Sequence, residues 1–157
     1  MSAKKKSWRE KLAHDNGLPK VIVLGGKVPV KWGRGTCVIP SPREVDALMR
    51  KVKPGKLVTI AELRRALATK HGADIACPIT TGIFAWIAAH AAEEGALAGE
   101  TKTTPWWRTL KTGGELNPKY PGGLEAAVEH LRGEGHTVFQ KGKRWFVKDC
   151  DKALAKL

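Results

Sequence analysis

The residues with the most distinctive chemistry lie in one stretch, residues 103–136, where two adjacent tryptophans stand between a proline and an arginine. A tryptophan offers an indole N–H donor and a broad aromatic face, but it is neither a nucleophile nor a general base. Trp106, Trp107 and Arg108 are followed by a glycine-rich loop and by the turn sequence Tyr-Pro-Gly-Gly at residues 120–123. This combination suits stacking on a flat ligand, and ordinary core packing of the tryptophans is the alternative.

The cysteines are the candidate thiol nucleophiles. Cys37, Cys77 and Cys150 lie far apart, without a C-x-x-C motif or paired histidines, which argues against a zinc site or a disulfide framework. We therefore predict reduced thiols, no metal and no cofactor. Cys77 precedes a predicted helix, where a thiolate is favoured, so an enzymatic role for Cys77 or Cys150 stays open.

The charge balance of the chain points to a polyanionic partner. Its 157 residues include 28 Lys and Arg against 15 Asp and Glu, a formal net charge of +13. Such a field favours nucleic acid first and an anionic membrane surface second, and basicity for solubility alone is the alternative. No apolar run approaches the roughly 20 residues of a membrane span, and the basic start does not lead into a signal sequence. We expect a monomeric, cytoplasmic and nucleoid-associated protein with no membrane contact.

The chain divides into three parts. Residues 1–19 are predicted to be a basic flexible tail, which either solubilises the protein or follows phosphates. Residues 20–40 contain three β-branched runs separated by glycines and form a small β-rich segment. Residues 41–157 are long enough to bury a core of their own and form the main domain.

Capping signals predict three helices at the start of the main domain. A serine and a glutamate at residues 41–44 make a capping box with proline at the first helical position, and residues 59–62 make a second box. A third helix is predicted over residues 82–94, capped by Thr80 or Thr81. The second and third helices together make a helix-turn-helix.

The third helix is the predicted DNA-reading element. We predict that Ile83, Ile87 and Ala91 pack inward and that the rest of the helix surface is small, with Ala85, Ala88, Ala89 and Ala92. Small side chains permit close approach to a duplex but carry few hydrogen bonds to base edges, so docking would be guided by shape. Packing of this alanine-rich helix inside a bundle is the alternative. The predicted DNA-contacting residues of this helix region are Thr80, Thr81, Phe84, Ala85, Trp86, Ala88 and Ala89.

Two β-rich runs at residues 137–140 and 144–147 surround a Lys-Gly-Lys turn and predict a hairpin. A helix-turn-helix followed by a basic hairpin makes an α+β, winged helix-turn-helix fold. We expect the hairpin cations, together with one lysine of the glycine-rich loop, to contact phosphates. These residues are Lys111, Lys141, Lys143 and Arg144.

The order of motifs over roughly residues 43–148 resembles a known family. The segment GKLVTIAEL at residues 55–63 is similar to G-K-V-x-T-Y-G-[DE]-I, and PWWRT at residues 105–109 stands where P-C-H-R-V is found. Gly113-Gly114 and the stretches 120–124 and 131–135 match at similar spacing. This series resembles the DNA-binding domain of the O6-alkylguanine-DNA alkyltransferases, which flip a damaged guanine and take its alkyl group onto cysteine.

The departures from that family decide what the resemblance implies. Trp106 stands at the acceptor-cysteine position and Trp107 at that of the activating histidine, so alkyl transfer is not expected there. The resemblance is closest to the alkyltransferase-like branch, which lacks the cysteine and binds lesions without repairing them. Glu134 matches a family glutamate and is expected to be structural. The position of the family's base-replacing arginine falls near Ala85, and Phe84 or Trp86 is the candidate wedge in its place.

The resemblance implies double-stranded DNA as the partner, with alkylated DNA as a candidate, and a pocket that stacks on an extruded base. Two other classes stay open: a nucleoid or regulatory DNA-binding protein without a base pocket, and a methyltransferase that uses another cysteine. The predicted pocket residues are Trp106, Trp107, Arg108, Tyr120, Pro121, Gly122 and Gly123.

Overall fold

The computed structural model describes residues 5–24 and 35–157. The helices are α1 (Trp8–Ala13), α2 (Pro42–Arg50), α3 (Ile60–His71), α4 (Pro78–Leu97) and α5 (Gly123–Gly133). The strands are β1 (Lys20–Val23), β2 (Thr36–Ile39), β3 (Val58–Thr59), β4 (Ile75–Ala76), β5 (Thr109–Leu110), β6 (Val138–Lys141) and β7 (Arg144–Val147). Short 3-10 turns cover Trp106–Arg108 and Cys150–Ala153. The α+β class is confirmed, and α3, α4 and the β6–β7 hairpin follow in the order of a winged helix-turn-helix.

The two predicted capping boxes are present. At the start of α2, the Glu44 carboxylate accepts a hydrogen bond of 2.9 Å from the Ser41 backbone N–H. At the start of α3, the Glu62 carboxylate accepts hydrogen bonds from the Thr59 backbone N–H at 2.9 Å and from the Thr59 hydroxyl at 2.7 Å. These boxes satisfy backbone donors that a helix start leaves free, and they fix where both helices begin.

Short strand pairs tie the helices together. The strand β1 pairs antiparallel with β2, and β2 pairs in parallel with β4. One sheet therefore joins the segment before α2 to the segment after α3. The parallel pair β3–β5 connects the start of α3 to the 3-10 turn of the tryptophans. The predicted β-rich segment is therefore not a separate unit, because its strand β2 is buried against the main domain. The strand predicted around residues 28–30 lies outside the described residues.

The prediction of a flexible tail is wrong for residues 8–13, which form α1 against α4. The Trp8 ring stacks on the His90 ring at 4.5 Å between centroids and meets the Trp86 ring edge-on at 4.7 Å. The Glu94 carboxylate accepts hydrogen bonds from the backbone N–H groups of Trp8 at 3.1 Å and Arg9 at 3.2 Å. Aromatic contacts and a carboxylate at the helix N-terminus hold α1 in place, and composition alone does not reveal such partners.

The hairpin β6–β7 is confirmed. Phe139 pairs with Phe146 and Lys141 with Arg144, which leaves Gly142 and Lys143 as a two-residue turn. After the hairpin, a 3-10 turn covers Cys150–Ala153.

Candidate nucleic-acid interface

The helix α4 starts earlier than its threonines suggested, and most of the predicted facing is wrong, although Ala91 is buried as predicted. It begins at Pro78, so Thr81 lies inside the first turn, where its hydroxyl donates a hydrogen bond of 2.6 Å to the Cys77 carbonyl. Thr81, Ala85, Ala88 and Ala89 are all 0% exposed. Their prediction as DNA-contacting residues is therefore wrong: these small side chains serve close packing of α4 against the core.

The outward face of α4 carries isoleucines instead. Ile79 is 58% exposed and Ile83 is 44% exposed, although Ile83 was predicted to face the core. Thr80 and Phe84 are half-buried, and Phe84 packs against the core. Because α4 is apolar on both sides, the spacing of its apolar residues could not distinguish the buried side from the exposed one.

A groove of about 550 Å³ opens beside this isoleucine face. Ile60, at the start of α3, and Ile79 and Ile83 of α4 supply apolar walls, and Lys111 and Lys119 add cations. The remaining lining residues are Pro78, Gly82, Trp86, Thr112, Asn117 and Tyr120. The groove is thus an apolar cleft with a few polar groups, which is the usual composition of a small-ligand site.

Tyr120 is the predicted pocket residue that lines this groove. Its side chain is only 5% exposed, and burial raises the pKa of the phenol. The phenol therefore stays neutral and keeps its O–H as a possible donor near neutral pH. The Trp106 ring meets the Tyr120 ring edge-on at 6.2 Å and forms the packing behind it.

The two tryptophans are packing residues rather than a stacking platform. Trp106 is 3% exposed, and its ring meets the Trp107 ring edge-on at 5.6 Å. The Trp107 ring lies parallel to the His130 ring at 4.0 Å, so that face is covered. Within the described part of the chain, neither indole lines the groove. The prediction that an extruded base stacks on these two rings is therefore corrected.

The predicted pocket residues that follow Tyr120 shape the start of α5. Pro121 is buried, and Gly122 precedes the helix with a left-handed φ of +74°. A Cβ at Gly122 would lie 2.5 Å from the Ala126 Cβ, so a side chain does not fit there. Gly123 is the first residue of α5. Pro121, Gly122 and Gly123 thus set the turn that places Tyr120, and none of the three lines the groove within the described part of the chain.

Arg108 is engaged by partners inside the protein. Its Nη1 donates a hydrogen bond of 2.7 Å to the Val52 carbonyl, and its Nη2 lies 2.5 Å from a Glu134 carboxylate oxygen. Burial acts to raise the pKa of Glu134, but the Arg108 guanidinium, together with Trp107 and the Gly55 backbone N–H, holds that pKa below its usual value. Glu134 therefore has the structural role that its position predicted.

The loop before Tyr120 is held by two ring nitrogens of α4. The Lys119 carbonyl accepts hydrogen bonds from Trp86 Nε1 at 3.1 Å and from His90 Nε2 at 2.9 Å. The Trp8 ring also stacks on His90 and meets Trp86 edge-on, so Trp86 is held in place. The prediction of Trp86 as a wedge in DNA is corrected, and its role is to hold one wall of the groove.

Cations surround the groove and the hairpin. Lys111, Lys141 and Lys143 are exposed, and the described residues include no carboxylate in ion-pair contact with them. Arg144 is exposed as well, but its guanidinium forms a salt bridge of 2.7 Å with Glu115. Of the four residues predicted to contact phosphates, Arg144 is therefore the one that already pairs with a carboxylate, and the contact of all four with phosphate stays a prediction.

The cysteines are buried. Burial raises the pKa of the Cys37 thiol, and it raises the pKa of Cys150 to about 11, with Glu62 and Asp151 adding to the effect. Cys77 is 4% exposed and packs with Leu24 and Cys37. Over residues 5–24 and 35–157, no group of three or more His, Cys, Asp or Glu is placed to hold a metal ion. No helix in the same ranges is long and apolar enough to cross a membrane.

The chain therefore combines a groove beside α4, exposed lysines and a hairpin, with its elements in the order of a winged helix-turn-helix. No family model and no curated protein sequence matches this chain. Two solved structures are similar to it. One is S. pombe Atl1, an alkyltransferase-like protein, in complex with damaged DNA containing O6-carboxymethylguanine, at 16% identity and a TM-score of 0.49. The other is S. pombe ATL in complex with DNA, at 15% identity and a TM-score of 0.47. Each likeness covers 74% of this chain and 94% of the other.

Proposed function

We propose that this protein binds double-stranded DNA as an alkyltransferase-like protein, and that the groove beside Tyr120 receives an extruded base without alkyl transfer. The observation that carries the proposal is an open apolar groove on the exposed side of α4 in a chain of net charge +13. Among the solved structures named above, Atl1 holds damaged DNA. For this chain the same class of ligand is proposed from its own charge and geometry.

The balance of energies favours a damaged base in such a groove. Extruding a base costs a few kcal/mol, and the cost is smallest for a damaged or mismatched base. Aromatic stacking on a base is worth about 1–3 kcal/mol, and apolar side chains add to it by taking the base face out of water, so the groove offsets the cost best when pairing is already weakened. Ile79, Ile83 and Ile60 offer apolar surface to the base, while Lys111 and Lys119 can neutralise the flanking phosphates.

Binding is favoured over catalysis because of the state of the cysteines. A thiolate is the reactive form of cysteine, and burial disfavours it at Cys150, whose pKa is raised to about 11. Cys77 faces Leu24 and Cys37 in a small core of its own. Intact-mass measurement after incubation with methylated DNA tests this point: a methyl adduct on Cys77 or Cys150 would overturn it.

A DNA-binding protein without a base pocket is the second candidate, and the open groove is the observation that disfavours it. The deciding experiment is a titration of fluorescent duplexes that are identical except for one O6-methylguanine, repeated at several salt concentrations. Tighter binding of the modified duplex at every salt concentration supports the base pocket. Equal affinities would remove lesion recognition and leave DNA binding, and no binding at low salt would sink both. The monomeric state and the nucleoid-associated location stay predictions.

A further inference from the structure

The outer face of the hairpin has a composition that the groove beside Tyr120 does not explain. Phe139 pairs with Phe146 and Lys141 with Arg144, and alternate residues of a strand share a face. These four side chains therefore form one surface, which we call the wing face. The opposite face of the hairpin is directed to the core, where Val138 and Val147 are 7% and 4% exposed.

The wing face presents an aromatic platform. The rings of Phe139 and Phe146 lie 5.7 Å apart at an interplanar angle of 21°, and the Arg144 guanidinium lies 5.2 Å from the Phe146 ring centroid. Phe139 remains 42% exposed, although a neighbouring phenylalanine and a cation already contact the pair. Aromatic rings beside cations on an exposed sheet face are typical of surfaces on which nucleic-acid bases stack.

A second groove, of about 470 Å³, runs along this platform and is lined by Phe139, Phe146 and the loop Thr112–Gly114. Thr112 also lines the groove beside Tyr120, so the two grooves meet at this residue. Gly114 has a left-handed φ of +86°, and a Cβ there would lie 2.9 Å from the Cys150 Cβ. The loop therefore needs glycine at Gly114, and it forms the boundary between the two grooves.

The charges on the two sides of the platform differ. The hairpin contributes Lys141 and Lys143, which have no carboxylate in ion-pair contact within the described ranges. Glu62, which lines the groove, already accepts hydrogen bonds from Thr59. Lys148, Asp149 and Asp151 line it too, and they follow the hairpin in the chain, so carboxylates outnumber the lysine on this side. Phosphates are attracted to the hairpin side, and carboxylates on the other side can accept hydrogen bonds from amino groups of a base.

We propose that the wing face binds an unpaired DNA base, stacked on Phe139, from a strand that leaves the duplex held by α4. The proposal rests on the DNA binding proposed above and adds a second subsite to it. Insertion of Phe139 as a wedge into a duplex does not fit the geometry. The tip of the hairpin is Gly142-Lys143, and the Lys141–Arg144 pair separates it from the phenylalanines. The ring is thus displayed on a face, which suits stacking on a free base.

Fluorescence anisotropy with four DNA ligands tests this subsite. The ligands are a blunt duplex, the same duplex with a six-nucleotide thymine tail, the same duplex with an abasic tail of equal length, and a thymine single strand. The abasic tail keeps the phosphates and removes the bases. We expect the thymine tail to improve affinity over the abasic tail by about fivefold or more. We expect Phe139→Ala to abolish that difference and Phe139→Trp to preserve it. Leu97→Ala, a control at an exposed apolar residue, should leave the affinity difference between the two tails unchanged.

The outcomes separate the two proposals. In one outcome the protein fails to bind the blunt duplex but binds the single strand, and Phe139→Ala weakens single-strand binding. That result would contradict the proposed duplex binding and support the wing subsite. If the thymine and abasic tails bind equally, or if Phe139→Ala leaves their difference intact, the wing subsite is wrong while duplex binding stands. Thermal unfolding of each variant shows whether a loss of affinity comes from an unfolded hairpin.

Discussion

Arg108 and Glu134 form a two-point ion pair in which the Arg108 Nε lies 3.0 Å and 3.1 Å from the two carboxylate oxygens of Glu134. The pair joins the 3-10 turn of the tryptophans to the end of α5. The two side chains are only 11% and 15% exposed, so water screens the pair weakly. Removing one partner of a buried pair leaves the other charge buried and unpaired.

We therefore expect Arg108→Ala to destabilise the protein by about 3 kcal/mol, the lower end of the range for breaking a buried pair. Urea unfolding gives the free energy directly. Arg144→Ala is the matched control because Arg144 also pairs with a glutamate, but its side chain is 63% exposed. An equal loss of stability in both variants would contradict the structural role of the Arg108–Glu134 pair.

The pH dependence of stability should carry the signature of Glu134. Its pKa is lower in the folded protein than in the unfolded chain, so its contribution is complete above the ordinary glutamate pKa of about 4.3. The contribution is lost as the pH falls through the lower, folded pKa. In urea unfolding at successive pH values, we expect Glu134→Gln to flatten the decline below pH ~4.5. Glu125→Gln, an exposed change on the same helix, should keep the wild-type slope, and identical slopes for all three proteins would refute the prediction.

The isoleucine face of α4 should decide lesion preference. Ile83 is 44% exposed, so Ile83→Asp should leave the unfolding midpoint nearly unchanged. A carboxylate in the groove would repel phosphate and remove apolar contact, and we expect the preference for O6-methylguanine duplex to fall about tenfold or more. Duplex titrations with and without the lesion measure it. Leu97→Asp, an exposed change at the far end of α4, puts the same charge away from the groove. If this control loses as much lesion preference as Ile83→Asp, the groove is not the site.

The hairpin lysines should appear in the salt dependence of DNA binding. Each phosphate contact contributes about 0.9 to the slope of log affinity against log salt, so Lys141→Ala with Lys143→Ala should lower that slope by about 2. Equilibrium titrations of one unmodified duplex at five salt concentrations give the slope. Lys51→Ala with Lys156→Ala removes the same charge from a different groove and is the matched control. If the two double variants reduce the slope equally, the hairpin lysines affect binding only through the net charge of the protein and not through contacts with phosphates.

The contacts of α1 with α4 should stabilise the loop before Tyr120. Trp8→Ala removes the ring that stacks on His90 and contacts Trp86, and we expect a loss of about 2 kcal/mol in unfolding free energy. Hydrogen exchange of the Lys119 and Tyr120 amides should speed up by more than the global loss explains. Glu10→Gln, an exposed change on α1, provides the comparison. Unchanged local exchange in Trp8→Ala would show that the loop does not depend on α1.

Local signals in the sequence were enough to place much of the fold. The capping boxes at Ser41 and Thr59 fixed the starts of α2 and α3, and the turn at Gly142 fixed the hairpin, because each depends on neighbouring residues alone. The start of α4 was missed because Thr80 and Thr81 look like caps. In the folded chain Pro78 occupies the first helical turn and the Thr81 hydroxyl bonds within the helix.

The site was harder to predict because it depends on which side of α4 packs against the core. Ala85 and Ile83 are both apolar, and only the closeness of the neighbouring helices decides that the smaller one is buried. Trp107 was read as a stacking face, but His130 lies against it, and no local pattern links these two residues. Tyr120, a predicted pocket residue, lines a groove because the turn that places it is encoded in adjacent residues.

The carbonyl of Lys119 has a practical meaning for anyone who prepares this protein. Because Trp86 and His90 hold that carbonyl, and Trp8 contacts both rings, shortening the chain by its first fourteen residues would loosen a wall of the groove. A purification tag or fluorescent label is therefore better attached at Leu157, which is 41% exposed, than close to α1. A shortened protein that folds but no longer discriminates between DNA ligands would then reflect the loss of α1 and not the absence of a binding site.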